Sequence, residues 1–379
     1  MLAKTAKWSL IHWVIAAAVM PAVLGWWGCA SVVPPGSFRA VKEPRAGRAI
    51  GSRVAVVYSK HYQINLGGLE KLHPFDINKY ARIYLAMNTE GLIEPRDVYV
   101  PKPVTEEDIR LVHSQAFVDR LGDSEAVAGW LEFPALGMAP AALIDVGVLN
   151  AFRAASGGTI LAGREAVKHG VAINLGGGYH HAKPDAGEGF NVFADMAIAI
   201  RRLQSEGLIR RAAIVDLDVH QGNGSAVIFA GDDSVFTFSM HEGDIYPVPK
   251  EKSDMDVELP AGTDDEAYLA ALAKHLPAVL ARSAPDIVFF QAGCDTLAGD
   301  PLARLAMTQE GIVRRDAMVI DACVEAGIPV VMVLGGGYSD DAWLAQLASI
   351  KRTIAKYSLA GRAAHPPRAA TKAERIYTK

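Results

Sequence analysis

The chain has 379 residues, 50% of them hydrophobic and 21% charged, with a formal net charge of −4. That content fills the core of one large α/β domain or two ordinary ones and excludes a disordered chain, while the scattered, near-balanced charge excludes an electrostatic footprint for nucleic acid. Cys29, Cys294 and Cys323 are too few and too far apart for a disulfide framework or a cysteine-built zinc site, so any zinc ligands must be His and carboxylate.

Lys4 and Lys7 precede a mostly apolar run from Trp8 to Trp27, followed by Gly28-Cys29-Ala30-Ser31 and a Pro-Gly linker. Residues 1–28 read as an export signal or membrane anchor and 29–52 as a linker. The placement of Cys29 after a small residue resembles a bacterial lipoprotein signal; an uncleaved signal anchor is the alternative. In either case the early lysines put the start in the cytoplasm and the domain outside it, tethered to the membrane.

The folded domain is expected over 53–360, with a basic tail over 361–379. Val54–Tyr58 is a strand candidate and Ser59–Asn65 a loop. His73, before Pro74, belongs to a loop entering the helical spacing of Lys79–Ala86 and reads as structural. Thr105-Glu-Glu-Asp108 is a capping pattern with an acidic first turn, opening a helix that continues through Ile109–Leu121. A helix over Val146–Val167 precedes the apolar strand Val171–Asn174, which ends in Gly176-Gly-Gly-Tyr-His180-His181. The glycines permit a tight turn and close backbone approach, and the paired imidazoles point to catalysis. Gly187-Glu-Gly-Phe190 leads into an amphipathic helix, Val192–Glu206.

Ala213–Gly224 begins as an apolar strand and then sets Asp216, Asp218 and His220 at alternate positions, a metal-site spacing that in an extended strand turns all three to one side. Gly-Asn223-Gly makes the turn that follows. Val235–Met240 is the next strand, ending at His241, which reads as structural. The long loop Glu242–Glu258 is placed to shape a pocket. Ala267–Leu280 is helical, and the strand Asp286–Gln291 ends near Asp295. A helix over Thr308–Ala326 feeds the strand Pro329–Leu334, which ends in Gly335-Gly-Gly-Tyr338.

Four buried strands thus alternate with helices, and each ends in a polar cluster. In a parallel doubly wound α/β sheet those ends share one rim. Asp218, His220 and Asp295 then make a three-ligand set with an open fourth position, as a catalytic zinc needs to hold water.

The segments G-G-G-Y-H-H, D-L-D-V-H-Q-G-N-G, Q-A-G-C-D-T-L-A-G-D-P and L-G-G-G-Y, in this order, resemble the zinc-dependent histone-deacetylase and acetylpolyamine-amidohydrolase superfamily. L-E-K-L-H-P-F-D, Asn223 and I-Y-P at Tyr246 are most similar to its class IV branch. The resemblance covers about Val54 to Leu347 and implies the arginase-deacetylase fold, an open, mainly parallel sheet flanked by helices on both faces. It implies zinc, or iron(II) in vivo, on Asp218, His220 and Asp295. His181 would be the general base, with His180 as a second imidazole; Asp216 would orient His180 and Asn223 would hold His181. Many relatives have Asp at the latter position, and a neutral amide there lowers the pKa of the base. Tyr338 would donate to the developing oxyanion. A structural potassium would sit on Asp216, Ser239 and the backbone carbonyls of Asp218, His220 and Met240. Gly178, Gly189, Phe190 and Tyr246 would line an acyl-lysine tunnel.

The expected substrate is an acylated lysine peptide or a small acylated amine, with acyl groups from acetyl to fatty chains. A ureohydrolase or acetylpolyamine hydrolase of the same fold is the alternative enzyme, and an acyl-ligand binding protein the non-catalytic one. No protein partner follows from the sequence.

Overall fold

The computed structural model describes residues 54–358. The anchor expected over 1–28, Cys29, the linker 29–52 and the basic tail 361–379 lie outside the described residues. Among the described residues no helix is long and apolar enough to cross a membrane.

The apolar runs form one eight-stranded sheet: β1 (Ala55–Val57), β2 (Val98–Tyr99), β3 (Val171–Asn174), β4 (Ala212–Asp216), β5 (Val235–Glu242), β6 (Met255–Leu259), β7 (Ile287–Gln291) and β8 (Val330–Val333), ordered β2-β1-β3-β8-β7-β4-β5-β6. Every neighbouring pair is parallel. The central strands are continuous hydrophobic runs because helices cover both faces, leaving no solvent side to demand alternation. Every residue of β7 is fully buried.

Among the helices are α1 (Lys79–Thr89), α2 (Asn150–His169), α3 (Asp195–Ser205), the short α4 (Asn223–Ile228), α5 (Asp265–Ser283), α6 (Gln309–Glu325) and α7 (Ala342–Tyr357). α2 packs on α3 and over β3, while α5, α6 and α7 pack side by side. Registers such as Asp216 with Gln291, and Gln291 with Val333, bring the carboxyl ends of the central strands level. β3, β8, β7 and β4 are consecutive in the sheet. The segments leaving them carry the His pair, Tyr338, Asp295, and Asp218 with His220, so four adjacent strands supply the polar clusters to one rim.

Three expectations need correction. The helix expected over 106–121 is two: Thr105 and Asp108 form the capping box of Glu106–Ile109, and Ser114 then caps a second piece, Gln115–Asp119. The break occurs because Ser114 donates its N–H to Pro184 O, and His113 is buried between Lys183 O and the Ala194 N–H. The second correction is β6, which lies inside the segment taken as a loop. It is a half-exposed edge strand whose Met-Asp-Val-Glu-Leu alternation pairs on one side only. The third concerns Asp216, Asp218 and His220, which do not share a strand: β4 stops at Asp216.

Candidate active site

The end of β4 is set by its own carboxylates. Asp216 Oδ1 accepts the Asp218 N–H at 3.2 Å, and Asp218 Oδ1 accepts the His220 N–H at 3.1 Å. Each aspartate captures the amide two residues on, which bends the chain out of the sheet. Asp216 consequently faces His180, while Asp218 and His220 turn toward Asp295 from β7.

Asp218, His220 and Asp295 are buried, and each offers a ligating atom within 4.8 Å of the other two. His220 Nδ1 lies 3.3 Å from Asp218 Oδ1 and 3.1 Å from Asp295 Oδ2. The remaining carboxylate oxygens are held by backbone: Val219 N–H donates to Asp295 Oδ1 (3.0 Å) and Gly336 N–H to Asp218 Oδ2 (2.9 Å). Gly336 has to be glycine, because a Cβ there would stand 2.2 Å from Asp295 Oδ2. Burial, then the charge of Asp218, pushes the Asp295 carboxyl upward. Two buried carboxylates and one imidazole in so small a space match the donor set of a divalent transition metal, whose charge would offset their repulsion.

The paired histidines have opposite environments. His180 Nδ1 is 2.8 Å from Asp216 Oδ2. Burial works against a charge on His180, but Asp216 and Asp218 outweigh it and raise the imidazole to about 9. His181 is held well below its ordinary value by burial and by the positive charges of His180 and His220, against a smaller upward pull from Asn223. The result is a neutral imidazole, free to accept a proton, with its ring centroid 4.0 Å from that of a cationic one. His181 Nδ1 meets Asn223 Oδ1 at 2.7 Å.

Tyr338 follows β8 on the glycine turn. Its N–H donates to Asp300 Oδ2 at 2.8 Å, and the carbonyls of Gly335 and Gly336 accept from Lys79 Nζ at 2.6 and 3.1 Å. The phenol ring sits 6.2 Å from the His220 ring, centroid to centroid. Burial and the carboxylates of Asp295 and Asp218 push its pKa well up, so the hydroxyl keeps its proton as a donor.

The histone deacetylase domain family model matches residues 73–354. The chain belongs to the histone deacetylase family. It is 42% identical over 287 residues to an uncharacterized protein of Picosynechococcus sp., covering 75% of this chain and 92% of that protein. It is 37% identical over 290 residues to histone deacetylase 2 of Arabidopsis thaliana, covering 76% of this chain and 75% of the relative. The crystal structure of the HDA15 HD domain superposes with a TM-score of 0.64 at 23% identity over 81% of this chain and 93% of that one, a likeness of fold. Membership of this family makes the protein a hydrolase of the deacetylase and amidohydrolase class.

Within this histone deacetylase fold, Tyr246 stands 5.0 Å from His181 and Phe190 stands 6.0 Å from Tyr338, ring to ring. Gly189, at φ +54°, passes so close that a Cβ would lie 2.6 Å from His181 Cδ2. Gly178 lines a recess with Phe75, His180, His181 and Tyr338. Asp216 and Ser239, two of the residues implied for potassium, are register partners on β4 and β5, and Met240 follows Ser239 in β5. His73 uses both ring nitrogens structurally, accepting from the Phe75 N–H and donating to Leu131 O, while its ring packs 4.6 Å from Phe190.

Lys79, Glu188 and Asp300 also border the site, although none stands in a motif that marks it as functional. Lys79 was detectable, because it occupies the apolar stripe Lys79, Ile83 and Met87, where a lysine must find buried acceptors. Asp300 stands in the G-D-P turn after Asp295. Glu188, between two glycines, gave no signal of its own.

Proposed function

We propose that this protein is a zinc-dependent amidohydrolase that removes acetyl or longer acyl groups from acylated primary amines, N-acyl-lysine side chains foremost. The observation that carries this reading is the convergence of a buried Asp–His–Asp set with a neutral imidazole and a protonated phenol at one sheet rim. Asp218, His220 and Asp295 would hold the ion, which supplies Lewis acidity toward the acyl carbonyl and lowers the pKa of a water.

His181 then accepts the proton of the attacking water on Nε2, its Nδ1–H being held by Asn223. His180, cationic against Asp216, keeps positive charge beside the developing negative charge. Tyr338 donates its O–H to the carbonyl oxygen as it becomes an oxyanion. The amide C–N bond breaks as His181 returns the proton to the leaving amine.

The apolar surface formed by Ile64, Leu66, His73, Phe75, Phe133 and Phe190 adjoins the site, since Phe75 and Phe190 also pack on Tyr338, and it favours acyl groups longer than acetyl. A ureohydrolase would need a second metal cluster, and among the described residues one such group converges.

The test is a panel of lysine peptides acylated from acetyl to myristoyl, beside acetylpolyamines and guanidino compounds. The expected result is turnover of acyl-lysine, blocked by a hydroxamate. Turnover of guanidino compounds alone, or none at all, would overturn the reading. The pH profile is expected to be a bell. Activity falls on the acid side only well below pH 6.5, as His181 takes up a proton, and on the alkaline side near pH 9, as His180 loses one. A profile flat through pH 9 would remove His180⁺ from the mechanism.

A further inference from the structure

Glu188 is neither a metal ligand nor one of the paired imidazoles, and its side chain is about one-third exposed. Its carboxylate nevertheless gathers three donors. Asn223 Nδ2 at 2.9 Å and the Tyr246 hydroxyl at 2.5 Å both donate to Oε1, and Lys183 Nζ lies 2.9 Å from Oε2. An ionised carboxylate only accepts, so the Asn223 atom facing it must be the amide nitrogen. The amide oxygen is thereby turned to His181 Nδ1, at 2.7 Å, and can only accept a hydrogen bond from an Nδ1–H. With the proton fixed on Nδ1, the free lone pair of the imidazole is on Nε2.

From these contacts we propose that Glu188 is a positioning residue that locks the Asn223 amide and so selects the His181 tautomer able to act as base. The inference rests on the reading of His181 as the base. It also explains how the fold manages with an amide at position 223: the negative charge stands one residue further out, linked to the imidazole through Asn223. Glu188 and Asn223 are therefore a matched pair. An aspartate at 223 beside Glu188 would set two carboxylates about 2.9 Å apart, where like charges oppose each other. With residue 188 neutral, the same aspartate would accept the Nδ1 proton directly.

The experiment uses the full-length, metal-loaded chain with ¹⁵N-labelled histidine, in which two-bond ¹H–¹⁵N correlations report the tautomer of His181 directly. The wild-type protein is expected to show the Nδ1–H tautomer alone. Glu188→Ala should show mixed tautomers and about a tenfold lower kcat on the best acyl-lysine peptide, with KM little changed. Asn223→Asp should also lose turnover, and Asn223→Asp combined with Glu188→Ala should exceed either single variant and restore the Nδ1–H form. Retention of the wild-type tautomer in Glu188→Ala would overturn the proposal, as would a double variant whose loss is the product of the single losses. Metal content and melting temperature of each variant separate this from misfolding. A wild-type enzyme that turns over no acyl-amine would sink the proposed function, while the tautomer spectra would still decide the role of Glu188.

Discussion

Tyr338→Phe is expected to lower kcat for amide hydrolysis by about 10²–10³, the usual cost of deleting one preorganised oxyanion donor, while the protein keeps its metal and its melting temperature. The geometry separates these outcomes. Tyr338 is not among the clustered ligands, and its backbone is fixed by Asp300 and by the Lys79 clamp on Gly335 and Gly336, none of which involves the hydroxyl. Phenylalanine preserves the ring contacts to Phe75, Phe190 and His220. What it removes is a proton donor whose pKa burial and two carboxylates have pushed far up. The effect should fall on kcat with KM nearly constant, because the contact strengthens only as charge builds on the carbonyl oxygen. The checks are steady-state kinetics, metal analysis and a melting curve on the same preparation. Turnover within a few-fold of wild type would refute the oxyanion role.

The sheet's central strands were legible because burial on both faces forces uninterrupted apolar runs, and each run is followed by a cluster too polar for a core. Those clusters mark the site. The edges were less legible: β2 has two residues, and β6 carries Asp256 and Glu258 in a half-exposed run, which is how an edge avoids pairing with other chains. The break at Ser114 depends on Pro184 O, seventy residues away in sequence, and no local propensity encodes it. The site divides along the same line. The alternation of Asp216, Asp218 and His220 was readable as metal spacing but suggested the wrong backbone, because the two Asx-type bonds that end the strand compete with extension. Glu188 became visible only when folding brought Asn223, Tyr246 and Lys183 onto one carboxylate.

Asp295→Asn is expected to abolish metal retention and lower kcat/KM by about 10³ or more, the several kcal/mol that a Lewis acid contributes to such a reaction. It should do so without destabilising the metal-free protein. The sign follows from the environment of the carboxyl. Burial, then the neighbouring Asp218, raises its pKa in the folded state above the unfolded value, against the weaker pull of His220. A carboxyl shifted in that direction binds its proton more tightly when folded. Its ionisation therefore lowers stability as pH rises from the unfolded pKa through the folded one, and at neutral pH its charge counts against the apo fold. Asparagine removes that charge and keeps an oxygen to accept the Val219 N–H. In the wild-type protein, added zinc should raise the melting temperature, since a ligand bound only by the native state stabilises it by mass action. In Asp295→Asn the chelated and zinc-supplemented melting curves should coincide, at or above the chelated wild-type value. His220→Ala should likewise lose the metal. Full metal content in both variants would remove these residues as ligands, and a chelated Asp295→Asn protein melting well below chelated wild type would mean that the carboxylate supports the fold rather than waits for a cation.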